Sequence, residues 1–345
     1  MSAAGGYIQV ALEEAPNGEH GTNPVSSVPF YLPATSINFN PTFAPMDTSD
    51  ELRAGLSLSP NKGALSFAPA GPAEGRLYPA VVGFWLALAC GMCTSTPGAG
   101  TSAVKDPANV NVPVGAYRHV FDWKGGQTPQ TAQIKWAAPD GSLYWKAMGV
   151  GADKLDFTRD NGAWKVAATL LGLYANTISD PALTPAYETP GPWRAGQMAL
   201  TWLTSSAITD DFTWYVENTL AALSTVSSAS LYPDMLCYNG GIPVLGGTIP
   251  KRSMEAADWA ALCAGTQFAA MMHFIHSEDA VSGYKHQLWV DMPGCQYQSG
   301  TPDAIANQRV NKGTYDWEAR DDATTGKRAT ITLVNATPTY ATYAS

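Results

Sequence analysis

Between Leu155 and Leu170 the apolar side chains fall on every second residue. Leu155 and Phe157 lead into Asp160-Asn161-Gly162, and Trp164, Val166, Ala168 and Leu170 lead out. A period of two is the mark of a strand with one buried face, and Asn-Gly tolerates the left-handed backbone of a tight hairpin turn. The same alternation recurs along the chain. It appears at Ile37, Phe39 and Phe43, at Leu56 and Leu58, and at Leu65 and Phe67. Further segments are Tyr117 to Trp123, Thr131 to Ala137 and Leu143 to Met148, the last preceded by a turn signal at Asp140-Gly141. Strands are also expected around Met198, Leu200 and Trp202, around Ile208, Phe212, Trp214 and Val216, and over Gln287 to Asp291 and Cys295 to Gln298. A last hairpin would set Thr314 to Arg320 against Arg328 to Val334. The pattern predicts a mainly β fold, sandwich- or barrel-like, with few helices.

Two stretches break the alternation. Tyr78 to Gly91 is long, rich in Ala and entered through Pro79, which fits the first turn of a helix. Met254 to His276 is expected as a second helix, with Ser253 as N-cap and Glu255 favouring the macrodipole. Trp85 to Gly91 and Trp259 to Gly265 match in their Trp, aliphatic, Cys and Gly positions, and each helix precedes a set of strands ending in a hairpin. This order predicts an internal duplication. Residues 1–35 read as an extended N-terminal arm, 36–180 as a first domain, 181–195 as a Pro-rich linker and 196–345 as a second domain. The helix-to-strand stretch Thr94 to Val112 reads as a long exposed loop.

Only 14% of the 345 residues are charged, against roughly 25% in an average protein. The chain carries eleven Trp, fifteen Tyr and ten Phe. Few charges and many aromatics suit a surface made for partners. The formal net charge of −9 argues against tight nucleic-acid binding, which needs phosphate neutralisation. Five cysteines are too few and too odd for a disulfide framework, so reduced thiols made in a cytoplasm are expected. The start lacks the pattern of a secretion signal, and the apolar run from Ala80 to Cys93 is too short to span a bilayer.

Candidate chemistry is sparse. Cys90-Gly-Met-Cys93 has redox spacing but closes a helix, whereas a low-pKa thiolate sits at a helix N-terminus. His273 and His276, near Glu278 and Asp279, could ligate a metal only with further ligands, and no HExxH is present. Gly240-Gly241 and Gly246-Gly247 lack the strand-to-helix setting of a phosphate loop and suit turns or close backbone approach. There is no GxSxG, and carboxylates that act as a pair cannot be picked by spacing. No catalytic, cofactor-binding or metal-binding residue is assigned.

Three segments carry a resemblance. Val112 to Trp123 contains Gly115-x-x-x-His119-x-Phe121 after the Trp/Leu/Ala helix. Lys154 to Gly172 forms the paired strands described above, and Phe212 to Leu220 reads FTWYVENTL. In this order they resemble the major tail tube proteins of long-tailed bacteriophages, from about Thr35 to the C-terminus. The resemblance implies a structural virion protein, not an enzyme, and no cofactor. It would be made in the host bacterial cytoplasm, without membrane insertion, and assemble into stacked rings that conduct DNA during ejection. Single-domain members are much shorter, so a duplicated chain implies a homotrimeric ring with pseudo-sixfold symmetry, the alternative being a homohexamer. The implied partners are tape measure protein and DNA in the lumen, with terminator and tail-tip proteins at the ends. The alternatives are another tail component, distal tail or baseplate, or a β-rich carbohydrate-active or carbohydrate-binding protein.

Overall fold

The computed structural model describes residues 7–13, 29–45, 64–123, 129–138, 142–180, 185–203, 205–206, 211–223, 233–239, 243–251, 255–302 and 313–340. In chain order the elements begin with β1 (Ile8–Leu12), β2 (Phe30–Leu32), β3 (Ala34–Ile37), β4 (Asn40–Pro45) and β5 (Ala64–Arg76). Helix α1 (Pro79–Cys90) precedes β6 (Gly91–Pro97), β7 (Tyr117–Trp123), β8 (Ala132–Ala137), β9 (Tyr144–Asp160), β10 (Ala163–Leu171) and β11 (Tyr174–Ile178). Then come β12 (Met198–Trp202), β13 (Ser205–Ser206), β14 (Thr213–Glu217), β15 (Leu220–Leu223), β16 (Met235–Tyr238) and β17 (Val244–Lys251). Helix α2 (Ala256–Ala264) leads to β18 (Phe268–Val281), β19 (Tyr284–Pro302), β20 (Gly313–Ala319) and β21 (Thr330–Asn335). The fold is mainly β with two α-helices among the described residues, as the alternation predicts.

All described pairings are antiparallel. One ribbon runs β6–β7–β21–β19–β20–β17–β14–β9–β10–β5–β4. Strands β18 and β12 branch from the first half of β19. The first half of β9 carries β11 on one edge and β8, β1 and β2 on the other. Strand β9 is 17 residues long and thus serves two sheets. It changes partners at Gly149, whose φ of 61° is a left-handed bend, and a Cβ there would meet Leu173 at 2.8 Å. The β9–β10 hairpin turns at Asn161 and Gly162 with φ of 47° and 77°, both positive as a type I′ turn demands.

Alternation puts the large side chains of this ribbon on one side. Phe157 stacks on Trp214 at 3.8 Å, and Trp317 stacks on Phe212 and meets Trp202 edge-on. Trp164 packs edge-on against Phe274 of β18. Burying each such ring contributes about 1.5–3 kcal/mol, and offset or edge contacts add to this.

Helix α1 is apolar all round and is enclosed, with every residue but Ala80 buried. An enclosed helix still needs partners for its terminal N–H and C=O groups, and side chains far along the chain supply them. Glu188 accepts from the Ala80 and Val81 N–H groups. Asn335 donates to the Pro79 carbonyl and Tyr340 to that of Ala80, extra bonds to first-turn carbonyls that tie the C-terminal segment to the helix. Asn218 donates to Ala89 O and Ala152 O, both at 2.9 Å, at the other end.

Several expectations are corrected. The second helix covers only Ala256–Ala264 and stops at Gly265, in the left-handed conformation. Phe268, Ala270, Met272, Phe274 and His276 are buried on alternate positions, so the remainder of that stretch is β18. Ser253 and Met254 lie outside the described residues, as do Leu56, Leu58, Asp140-Gly141, Ile208 and Gly240-Gly241; Glu255 occupies the N-cap position. Trp259 is 43% exposed while Trp85 is 3% exposed, so the two tryptophans are not equivalent core residues. The reason is that α2 buries only Asp258 and Ala261. The terminal hairpin does not form as such: β20 pairs with β17 and β19, and β21 with β19 and β7. The stretch expected as a long loop after α1 begins with β6, and Asp106 within it is buried, accepting from Tyr284 Oη at 2.6 Å.

Inside the segment read as an arm, β1 is wholly buried between β2 and β8. Within the Pro-rich stretch, Trp193 is buried and its backbone bonds to Leu77 and Trp164. Strand pairs join the two halves at β7–β21 and β9–β14, and one apolar core runs through both.

Candidate functional site

The residues singled out for chemistry are dispersed. Cys90 ends α1 and is buried, while Cys93 lies on β6. Burial pushes both thiols up, Cys93 to about 12, so neither is a thiolate at neutral pH. His273 and His276, three apart on a strand, point to opposite faces. His273 bonds Gln287 and stacks on Trp289, while His276 bonds the Gly191 carbonyl. Burial holds both imidazoles below the usual range, and that of His286, 5.8 Å from His276, at about 4. Among the described residues no group of three or more His, Cys, Asp or Glu is placed to hold a metal. Gly246 and Gly247 lie within β17, where a Cβ on Gly247 would come 2.1 Å from Thr213 O, so they serve close backbone approach.

One polar constellation escaped the sequence reading. Ser95 Oγ lies 2.8 Å from His119 Nδ1, and His119 Nε2 lies 3.1 Å from Asn335 Oδ1. The three residues come from β6, β7 and β21, adjacent strands set side by side by register, which no spacing along the chain discloses. The order resembles a nucleophile, base and orienting amide. Here, however, the imidazole is wholly buried, Tyr340 packs edge-on against it at 4.7 Å, and desolvation holds its pKa at about 4. The arrangement ties the C-terminal segment to α1 through Asn335 and Tyr340.

An organised polar surface lies on the outward face of the ribbon between β5 and the second half of β19. One register row crosses seven strands: Glu74, Ala167, Asp156, Tyr215, Gly246, Glu318 and Gln296. A neighbouring row holds Thr213, Thr248, Asp316 and Ser299. Asp160 and Glu217 share the face by alternation. Its cations are Arg76, Lys154, Lys165 and Arg320, outnumbered by these carboxylates. Lys154 pairs with Asp156 at 3.1 Å, Lys165 with Glu74 at 2.5 Å and Arg320 with Glu318 at 3.0 Å. Asp316 instead accepts from the hydroxyls of Thr248 and Ser299. The local field is negative: the Tyr215 phenol is raised, first by desolvation and then by Glu217 and Glu318. Such a face offers small side chains, carboxylates and neutralised cations, with little for a polyanion to hold.

The ribbon ends in β6 and β4, each with a single strand neighbour among the described residues. Exposed edges present unpaired backbone groups that can accept another chain. Among the described residues no helix is long and apolar enough to cross a membrane. Comparison with protein-family models and with curated proteins returned no match.

Proposed function

We propose that this chain is a structural subunit that self-associates into stacked rings, forming the tail tube of a long-tailed bacteriophage. In this reading it is a virion protein that works without catalysis, cofactor or metal. The observation that carries it is the long antiparallel ribbon, dry and aromatic on one face and, from β5 to the second half of β19, polar and rich in carboxylates on the other, whose terminal strands each have a single strand neighbour among the described residues. Edge-to-edge joining of such ribbons closes a wider barrel and removes the edges. The polar face would then line a lumen through which tape measure protein and DNA pass without adhering, with terminator and tail-tip proteins at the ends of the tube. The enclosed α1, which fills one side of the sheets, and the resemblance of Val112 to Trp123, Lys154 to Gly172 and Phe212 to Leu220 support the same reading. The order of elements, a helix followed by antiparallel strands after both α1 and α2, is what suggests a ring of three chains with pseudo-sixfold symmetry, a ring of six being the alternative.

Electron microscopy of the purified protein at rising concentration, with mass measurement of single rings, tests this. Tubes or stacked rings of three chains are expected. Rings of six chains would remove the duplication argument, discrete unstacked rings would indicate a distal tail or baseplate component, and a monomer at every concentration would overturn the proposal.

A further inference from the structure

The sheet of β2, β1, β8, the first half of β9 and β11 turns Val10, Ile134, Ala147 and Ala175 into the core. Alternation puts the next register row, Tyr31, Gln9, Lys135, Lys146 and Asn176, on its other face. Lys135 and Lys146 are direct cross-strand partners, and both are half-buried. Like charges directly opposite each other on a sheet are destabilising. Their neighbours on this face are Gln9 and Asn176 across the strands and Gln133, Ala137, Tyr144 and Met148 along them, none a carboxylate. Among the described residues neither ammonium has a carboxylate within ion-pairing distance. Desolvation lowers the Lys146 pKa and Lys135 lowers it further; Glu13 opposes this, but its carboxylate is held by Thr131 Oγ1 and the Gly149 N–H. The same face leaves polar atoms unsatisfied: Asn176 Oδ1, across from Lys146, and Tyr7 Oη are buried without a hydrogen-bond partner. Beside the lysines runs a file of tyrosines, Tyr144, Tyr7, Tyr31 and Tyr187, with successive ring centroids 6.4, 6.4 and 6.3 Å apart, and Tyr187 is 50% exposed. Unpaired cations, orphaned polar groups and accessible tyrosines together mark a surface that a partner completes.

We propose that this face docks against a second copy of the chain, whose carboxylates take up Lys135 and Lys146. The inference rests on the self-association proposed above and gives it a direction. Each copy carries 29 acidic side chains against 20 Lys and Arg, so a neighbour's surface offers carboxylates more readily than cations. A twofold contact of this face with itself would set one lysine pair against the other, at a cost. Charge therefore selects a heterologous contact, in which this face meets a different, acidic surface of the next copy. Contacts of that kind propagate into rings or filaments instead of stopping at a dimer.

Sedimentation velocity of the full chain at rising concentration, in about 50 and about 500 mM salt, reads the contact. The unaltered chain should associate, and more weakly at the higher salt. Lys146→Glu sets an opposite charge across from Lys135, so this variant should resist urea as well as the unaltered chain or better. It should nevertheless associate about tenfold or more weakly. Lys327→Glu, the same change of charge in the loop between β20 and β21, should associate as the unaltered chain does. Undiminished association of a folded Lys146→Glu chain, or an equal loss in Lys327→Glu, overturns the proposal and leaves the ring reading standing. An unaltered chain that stays monomeric overturns both. Should Lys146→Glu fail to fold, the doubly neutral chain with Lys135→Gln and Lys146→Gln decides by the same criteria.

Discussion

The ion pair beneath α2 allows a quantitative test of what holds that helix on the sheet. Lys251 Nζ lies 2.7 Å from both oxygens of Asp258, and the two side chains are 5% and 0% exposed. Tyr297 Oη donates to the same carboxylate at 2.7 Å, and Trp202 Nε1 donates to that phenol at 2.8 Å. Asp258 is in the first turn of α2, where a negative charge also meets the macrodipole. Asp258→Ala leaves a buried ammonium without a counterion and a buried phenol without an acceptor, a loss of about 3–5 kcal/mol. The pair itself contributes less, because desolvation offsets much of its attraction. The double variant Lys251→Met with Asp258→Leu should therefore recover most of the loss, ending within about 1–2 kcal/mol of the original. Urea unfolding followed by fluorescence measures this. With a slope of about 3 kcal/mol/M, the single variant should lower the midpoint by about 1 M or more. A single variant within about 1 kcal/mol of the original, or a double variant as unstable as the sum of the singles, would refute the reasoning.

Trp85→Ala should cost about 3–5 kcal/mol, whereas Trp259→Ala should change stability by less than about 1 kcal/mol, both read by the same unfolding assay. Asn218→Ala removes the donor to Ala89 O and Ala152 O and should cost about 1–3 kcal/mol, with faster exchange at the end of α1. Under native conditions a thiol reagent should label exposed Cys263 first, while Cys90 and Cys295, buried and with raised pKa values, react only on unfolding; mass spectrometry of labelled peptides checks the order. Assembled protein should not bind duplex DNA at 50 mM salt, and Asp160→Lys with Glu217→Lys should confer binding that declines steeply as salt rises, measured by fluorescence anisotropy.

The sequence disclosed those parts of the fold whose cause is local. The Asp160-Asn161-Gly162 hairpin, the strand at Thr213–Glu217 and the buried helix after Pro79 each carry their signal within a short window. The expected second helix runs past its true end because Phe268 to His276 contains helix-forming Ala and Met, although its burial alternates with the period of a strand. The partnership of β21 with β7 was invisible, since nothing in either strand names a neighbour so distant in sequence. For the same reason the Ser95–His119–Asn335 contact and the Glu188 cap could not be read. The polar face was legible only as a low charge fraction, because which carboxylates share a face depends on register between strands.

The seating of β21 between β7 and β19 also sets a timetable. Phe121 pairs with Ile331, and the first turn of α1 waits for Asn335 and Tyr340. At roughly 5–20 residues per second, synthesis of the intervening chain takes about 10–40 s, during which one side of β7 has no partner. The first half therefore cannot reach its final form as it leaves the ribosome, and closure falls to β21, the last strand among the described residues. Pairings between strands so far apart in the chain are slow to form and leave apolar edges open to aggregation meanwhile. Truncation after about residue 330 should thus yield a chain that collapses without becoming native, however complete its earlier strands.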